Sequence, residues 1–157
     1  LGMVCSVKGY DGFQLFGGPL DEQGKLRYID GCTDTVLVPP VRRGDPCLNH
    51  LHFPPGVEQT LHTHPSVRVN VVYRGHGVCC VPTDADKEVA LVPGSAFVLE
   101  ADTLHGFTTR DSGMDVITFH PDSDVGMTDD DHPMLNRTIV GDISARHIPA
   151  IRTGGEG

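Results

Sequence analysis

Hydrophobic and polar positions along the chain fall into short runs rich in β-branched and apolar residues, each closed by glycine, proline or aspartate. Residues 35–38, 67–73, 78–81, 89–92, 96–99 and 116–119 read as strands, because valine, isoleucine, phenylalanine and tyrosine fit a pleated, half-buried surface. The breakers between them are Pro39-Pro40, Pro54-Pro55-Gly56, Gly75-His76-Gly77, Pro93-Gly94 and Asp111-Ser112-Gly113. Strands at this spacing predict an all-β fold, an antiparallel sandwich or barrel. No helical periodicity of useful length precedes the last third, and no internal repeat is visible. The strand-dense stretch 46–121 is expected to form the barrel core. Residues 1–45 are expected to add an arm and one or two strands. Residues 122–157, opened by acidic sequence that includes Asp129-Asp130-Asp131, are expected to pack on the barrel or on a partner subunit.

Composition narrows the function classes. The 157 residues suffice for one domain. A formal charge of −9 argues against nucleic acid or an anionic membrane surface as partner, and no apolar run approaches the ~20 residues of a membrane span. Five cysteines, an odd count with Cys79 and Cys80 adjacent and no C-x-x-C pair, suit reduced thiols. The N-terminal stretch lacks the zones of a signal peptide, with Met3 reading as the natural start, so a cytoplasmic location is expected. What changes the picture is nine histidines in a chain with no tryptophan.

His62 and His64 are separated by one residue, the spacing that puts two imidazoles on one face of a strand. His105 follows the apolar run 96–99, and an antiparallel barrel can bring it beside them. Three neutral imidazoles suit Zn, Fe, Cu or Ni and suit Mg or Ca poorly.

The spacing of these residues resembles the cupin superfamily. Its first motif is a glycine, an H-x-H pair, a glutamate and a closing glycine, and Gly56, His62, His64 and Gly75 fall in that register. Its second motif is matched by Gly94 and His105. The resemblance implies a cupin β-barrel (a double-stranded β-helix, or jelly roll) holding one divalent transition metal through His62, His64 and His105, and a homodimer. Departures are as informative. Arg68 stands where the glutamate ligand is expected, and Glu100, Asp102 and Thr109 replace the second motif's proline, glycine and asparagine. A guanidinium has no lone pair to offer a metal, so the centre is either a three-histidine site or takes a fourth ligand from elsewhere. His52 is the candidate carried forward, with His50, His120 and Glu100 as alternatives.

A divalent ion without a carboxylate ligand, next to Arg68, makes a positive pocket suited to a small anionic, chelating substrate. A structural ion pair of Arg68 with Glu58 or Glu100 is the competing reading. Candidate catalytic side chains are Arg68, Glu100 and Asn70. With Fe(II), favoured here, the site would support dioxygenase chemistry. With Zn(II), the alternative, it would support cyclisation, isomerisation, dehydration or lyase chemistry. A non-catalytic ligand-binding or sensor cupin is the third reading.

Overall fold

The computed structural model of the chain describes residues 4–12, 14–82 and 87–153. Among them run β1 (Leu26–Arg27), β2 (Thr33–Val38), β3 (Cys47–Phe53), β4 (Arg68–Gly75), β5 (Gly77–Val81), β6 (Lys87–Leu91), β7 (Ala96–Leu99), β8 (Gly106–Thr108) and β9 (Met114–His120). They form a six-stranded sheet in the order β1-β2-β3-β9-β4-β7 and a three-stranded sheet in the order β6-β5-β8. Neighbouring strands are antiparallel throughout. Each run read as a strand in the sequence contributes one. Beyond the barrel lie a short helix, α1 (Pro133–Arg137), and a hairpin of β10 (Ile139–Val140) and β11 (Ile143–Ser144). No helix among the described residues is long and apolar enough to cross a membrane.

The two sheets close on a core of Phe53, Val57, Val72, Leu91, Phe107, Met114 and Val116, among others. Strand alternation divides the large sheet sharply. On β4 the buried inward positions are Arg68, Asn70 and Val72, while Val69 and Val71 face outward. On β9 Met114, Val116 and Thr118 are buried in the same alternation. The inner face is therefore apolar at one end and polar at the other, and the polar end forms the cavity. Apolar packing at the closed end stabilises the barrel, so the polar end need not.

Gly75 is dictated by this geometry. Its φ is 71°, in the left-handed region, and a Cβ there would collide with the Gly113 carbonyl. The turn it makes lets β4 and β5 pass from one sheet to the other.

The segment carrying His62 and His64 is not the regular strand expected from its alternation. It is extended backbone with two isolated bridges, Glu58 to Thr108 and His62 to His105. The two bridges differ in register by one residue, so the chain bulges between them. The reciprocal bonds His62 N to His105 O and His105 N to His62 O, both 2.9 Å, nevertheless lock the two motifs together.

Candidate metal centre

His62, His64 and His105 converge, with ligand-type atoms within 4.8 Å of one another. Their ring centroids are 4.5–5.1 Å apart. Two of the rings are oriented by backbone carbonyls: Nδ1 of His62 lies 2.8 Å from Thr60 O, and Nδ1 of His105 lies 2.8 Å from Thr103 O. A carbonyl only accepts, so Nδ1 carries the proton in each and Nε2 keeps its lone pair. His105 is 1% exposed, and its Nε2 has no hydrogen-bond partner. A buried lone pair with no donor is costly unless something binds it. Three imidazoles of which two have fixed tautomers and one has an orphaned nitrogen fit a divalent transition metal.

Burial, reinforced by Arg68 and the neighbouring imidazoles, pushes His64 down to about 3. Burial also lowers His105. Both are therefore neutral at neutral pH, the protonation state that a metal requires.

The cavity beside the triad has a volume of about 150 Å³. Arg68, Asn70, Asn49, Thr118, Asp34, His120 and Tyr28 supply its polar wall, and Leu51, Leu99 and Phe107 its apolar wall. Arg68 is 9% exposed and has no carboxylate within ion-pair distance among the described residues. Neither Glu58 nor Glu100 pairs with it, which removes the ion-pair reading. Its Nη1 donates to Ser66 O at 2.9 Å, Ser66 Oγ at 2.6 Å and Val67 O at 3.2 Å, while its Nε is buried without a partner. Ser66 in turn hydrogen-bonds Asp122. Burial lowers the Arg68 pKa, but a guanidinium remains charged at neutral pH. Asn70 lies in the same cavity, its side chain donating to Arg68 O at 3.1 Å and accepting from Thr118 Oγ1 at 2.9 Å.

Three sequence candidates, His50, His52 and Glu100, stand elsewhere. His52 is not beside the triad. Alternation along β3 turns Asn49 and Leu51 inward and His50 and His52 outward, to the opposite face of the sheet. There His50 Nε2 and His52 Nδ1 lie 2.8 and 2.9 Å from one oxygen of Asp115, and Arg74 Nε binds the other at 2.5 Å. Glu100 is exposed in the turn before His105 and does not line the cavity. His120 does line it, but lies outside the triad. Burial and Arg68 push His120 down to about 4, so it brings no second cation beside the guanidinium. Tyr28, Asp34, Asn49 and Thr118 were not among the sequence candidates, although Asp30-Gly31 after Tyr28 is a readable hairpin signal.

A pH dependence follows from the buried neutral imidazoles. An unfolded histidine takes up a proton near ~6.5, whereas His64 and His120 resist doing so down to about 3 and about 4. Between those limits the unfolded chain binds more protons, so stability falls as pH drops below ~6.5 and is unaffected by these groups above it. The urea midpoint of metal-free protein is expected to be lower at about pH 5 than at about pH 7.5. Equal midpoints would refute the assignment of neutral buried rings.

A small antiparallel double-sheet barrel with three histidines converging at one end defines the class. The chain is similar to a Cupin 2 conserved barrel domain protein from Salinispora arenicola CNS-205, at 17% identity over 68% of this chain and 87% of that one, with a TM-score of 0.54. It is also similar to the polyketide cyclase RemF from Streptomyces resistomycificus, at 18% identity over 64% of this chain and 70% of that one, with a TM-score of 0.52. A recombinant oxalate oxidase in complex with glycolate matches at 18% identity over 73% of this chain and 62% of that one, with a TM-score of 0.52. No family model and no curated protein matches the sequence. The fold is the cupin barrel.

Proposed function

We propose that the protein is a metal-dependent enzyme acting on a small anionic or enolisable substrate, with oxidative chemistry on Fe(II) as its leading reaction. One observation carries the reading: Arg68 is a buried guanidinium with no carboxylate partner among the described residues, facing the same cavity as His64 and His105. A buried guanidinium that reaches a carboxylate, Asp122, only through Ser66 is incompletely compensated, and a ligand that supplies negative charge would complete it. A carboxylate or enolate does so with two parallel hydrogen bonds to the guanidinium fork. The cavity adjoins one of about 600 Å³ across Asp34, Asn49, Arg68 and His120 and itself leaves about 150 Å³ beside the triad, room for a small ligand. The likeness to an oxalate oxidase in complex with glycolate agrees with a substrate of that size.

His62, His64 and His105 would hold the metal, and Arg68 would orient the substrate's anionic group. Asn70 is fixed by Thr118 and the β4 backbone, so it presents a rigid polar edge. Leu51, Leu99 and Phe107 exclude water from one side of the cavity and so strengthen the electrostatic contacts within it. Bound Fe(II) would supply redox chemistry with O2, whereas bound Zn(II) would supply Lewis acidity toward a carbonyl. The likeness to a polyketide cyclase favours the Zn(II) reading as the alternative.

Metal analysis of protein purified without chelators, followed by oxygen uptake with small keto acids, hydroxy acids and β-dicarbonyls, tests the proposal. Iron with substrate-dependent uptake supports it. Zinc with turnover but no uptake selects the non-redox alternative, and absence of metal rejects both. Arg68→Met should weaken binding of small carboxylates by roughly tenfold to a hundredfold, the loss of charge-assisted hydrogen bonds. The melting temperature should stay level or rise, because the unpaired charge is gone. Calorimetric titration and thermal unfolding read the two effects separately, and a destabilised variant with intact anion binding would make Arg68 structural.

A further inference from the structure

We infer that Tyr28 is a fourth protein donor of the metal centre, because its phenol oxygen lies 3.4 Å from Nε2 of His62, the nitrogen that faces the triad. The inference rests on the metal-binding reading above. In a tetrahedral set of donors each ~2.0–2.1 Å from an ion, neighbouring donor atoms are separated by ~3.3–3.4 Å. The Tyr28–His62 separation has that length, and is long for an O–H to N hydrogen bond. The two rings meet edge to face at 81° with centroids 6.3 Å apart. The phenol tip, and not the ring face, therefore approaches the imidazole nitrogen.

The placement is built into the chain. Asp30 and Gly31 both have positive φ, 52° and 80°, and Cys32 N bonds Ile29 O at 2.9 Å. This is the two-residue hairpin turn that Asp-Gly favours. Tyr28 N closes the next rung on Cys32 O at 3.0 Å, and Cys32 is fully buried in the core. At the tip, Asp30 accepts from Thr60 N at 2.7 Å and from Thr60 Oγ1 at 3.2 Å. The carbonyl of the same Thr60 fixes the His62 tautomer. Tyr28 and His62 are thus positioned from one shared anchor, so their separation does not depend on a mobile loop.

Charge supplies the reason. Imidazoles bind a metal only as neutral donors and Arg68 occupies the place of the usual carboxylate ligand, so the three histidines bring the centre no anionic donor. With Nδ1 of His62 protonated, Nε2 offers its lone pair, and in the metal-free chain the Tyr28 hydroxyl is the donor facing it. Tyr28 would then lose its acceptor to a bound ion, and its oxygen would bind as phenolate, the proton passing to solvent. That phenolate would restore the single negative charge lost with the glutamate.

The test uses the intact chain loaded with iron and oxidised to Fe(III). Wild type is expected to show phenolate-to-iron charge-transfer absorption in the visible range, with tyrosinate bands in resonance Raman spectra. Tyr28→Phe keeps the ring and its packing, and should lose both signals while still binding iron. Its Zn(II) dissociation constant, measured against a chromophoric chelator, should rise about tenfold or more. Iron bound by wild type without the charge-transfer band, together with unchanged Zn(II) affinity in Tyr28→Phe, overturns the inference and leaves the histidine centre intact. Wild-type protein that takes up neither metal overturns the metal-binding reading itself.

Discussion

Alanine at His62 and His64 together is expected to lower the metal content of the purified chain from about one ion to less than about a tenth of that. The double variant leaves a single imidazole, His105, which cannot retain a transition metal through purification. The barrel should survive, because the segment is held by the backbone bonds between His62 and His105 and by the Asp30–Thr60 clamp, neither of which uses the deleted rings. Elemental analysis alongside circular dichroism separates loss of metal from loss of fold. Chelation gives the same answer from the other side: removing the metal from wild type should lower its melting temperature, since a ligand bound only by the folded state stabilises that state. The double variant should show no such change. Unaltered metal content in the double variant would place the metal elsewhere.

Asp115→Ala is expected to cost about 3–5 kcal/mol of stability, the penalty for removing one partner of a buried ionic cluster. Asp115 is 2% exposed and His50 1% exposed. Burial alone would push the Asp115 carboxyl up, but hydrogen bonds from Arg74, His50 and His52 outweigh it and hold the group below the usual carboxylate range. Its stabilisation is therefore present above ~3.9, the ordinary aspartate value, and disappears as pH falls through the lowered one. Arg74 is half-exposed, with its side chain at 45%, and its share is discounted for solvent screening. The larger loss comes from stranding His50 without a partner. Arg74 also donates to Glu22 O at 3.0 Å, so the cluster ties the N-terminal arm to the outer face of the large sheet. For a domain of this size, a loss of 3–5 kcal/mol lowers the melting temperature by roughly 6–20 °C. Denaturant titration with an unchanged m-value checks it. A change below about 1 kcal/mol would mean that the cluster is not held in the buried form.

The same cluster marks how far the histidines were legible. His50 and His52, both named as possible ligands, share one face of β3, as residues two apart in a strand do. Alternation cannot say which face of a sheet covered on both sides points to the cavity. That was decided by β9, whose outward Asp115 meets the pair, while Asn49 and Leu51 turn inward. His52 thus left the candidate ligand set because of a carboxylate 63 positions away in sequence. Glu100 was lost differently. The turn after β7 uses its backbone carbonyl to receive Thr103 N and leaves the side chain in solvent. Tyr28 shows the reverse case. Asp30-Gly31 announces a hairpin locally, yet nothing local says that this hairpin docks on Thr60 and brings a phenol to His62.

The amino-acid sequence by itself determined the all-β character, six of the strands, the breakers between them and the pairing of His62 with His64, and the motif spacing added His105. All but the last follow from short-range chemistry: β-branched runs, residues that tolerate turns, and the side-chain period of two. Tertiary structure alone decided what surrounds the triad, because cavity membership is a property of strand order and docking. Arg68 is a surface charge or a buried anion hook according to which strands flank β4. Between β7 and β9 it is buried and lines the cavity, and under the proposed function it is the hook.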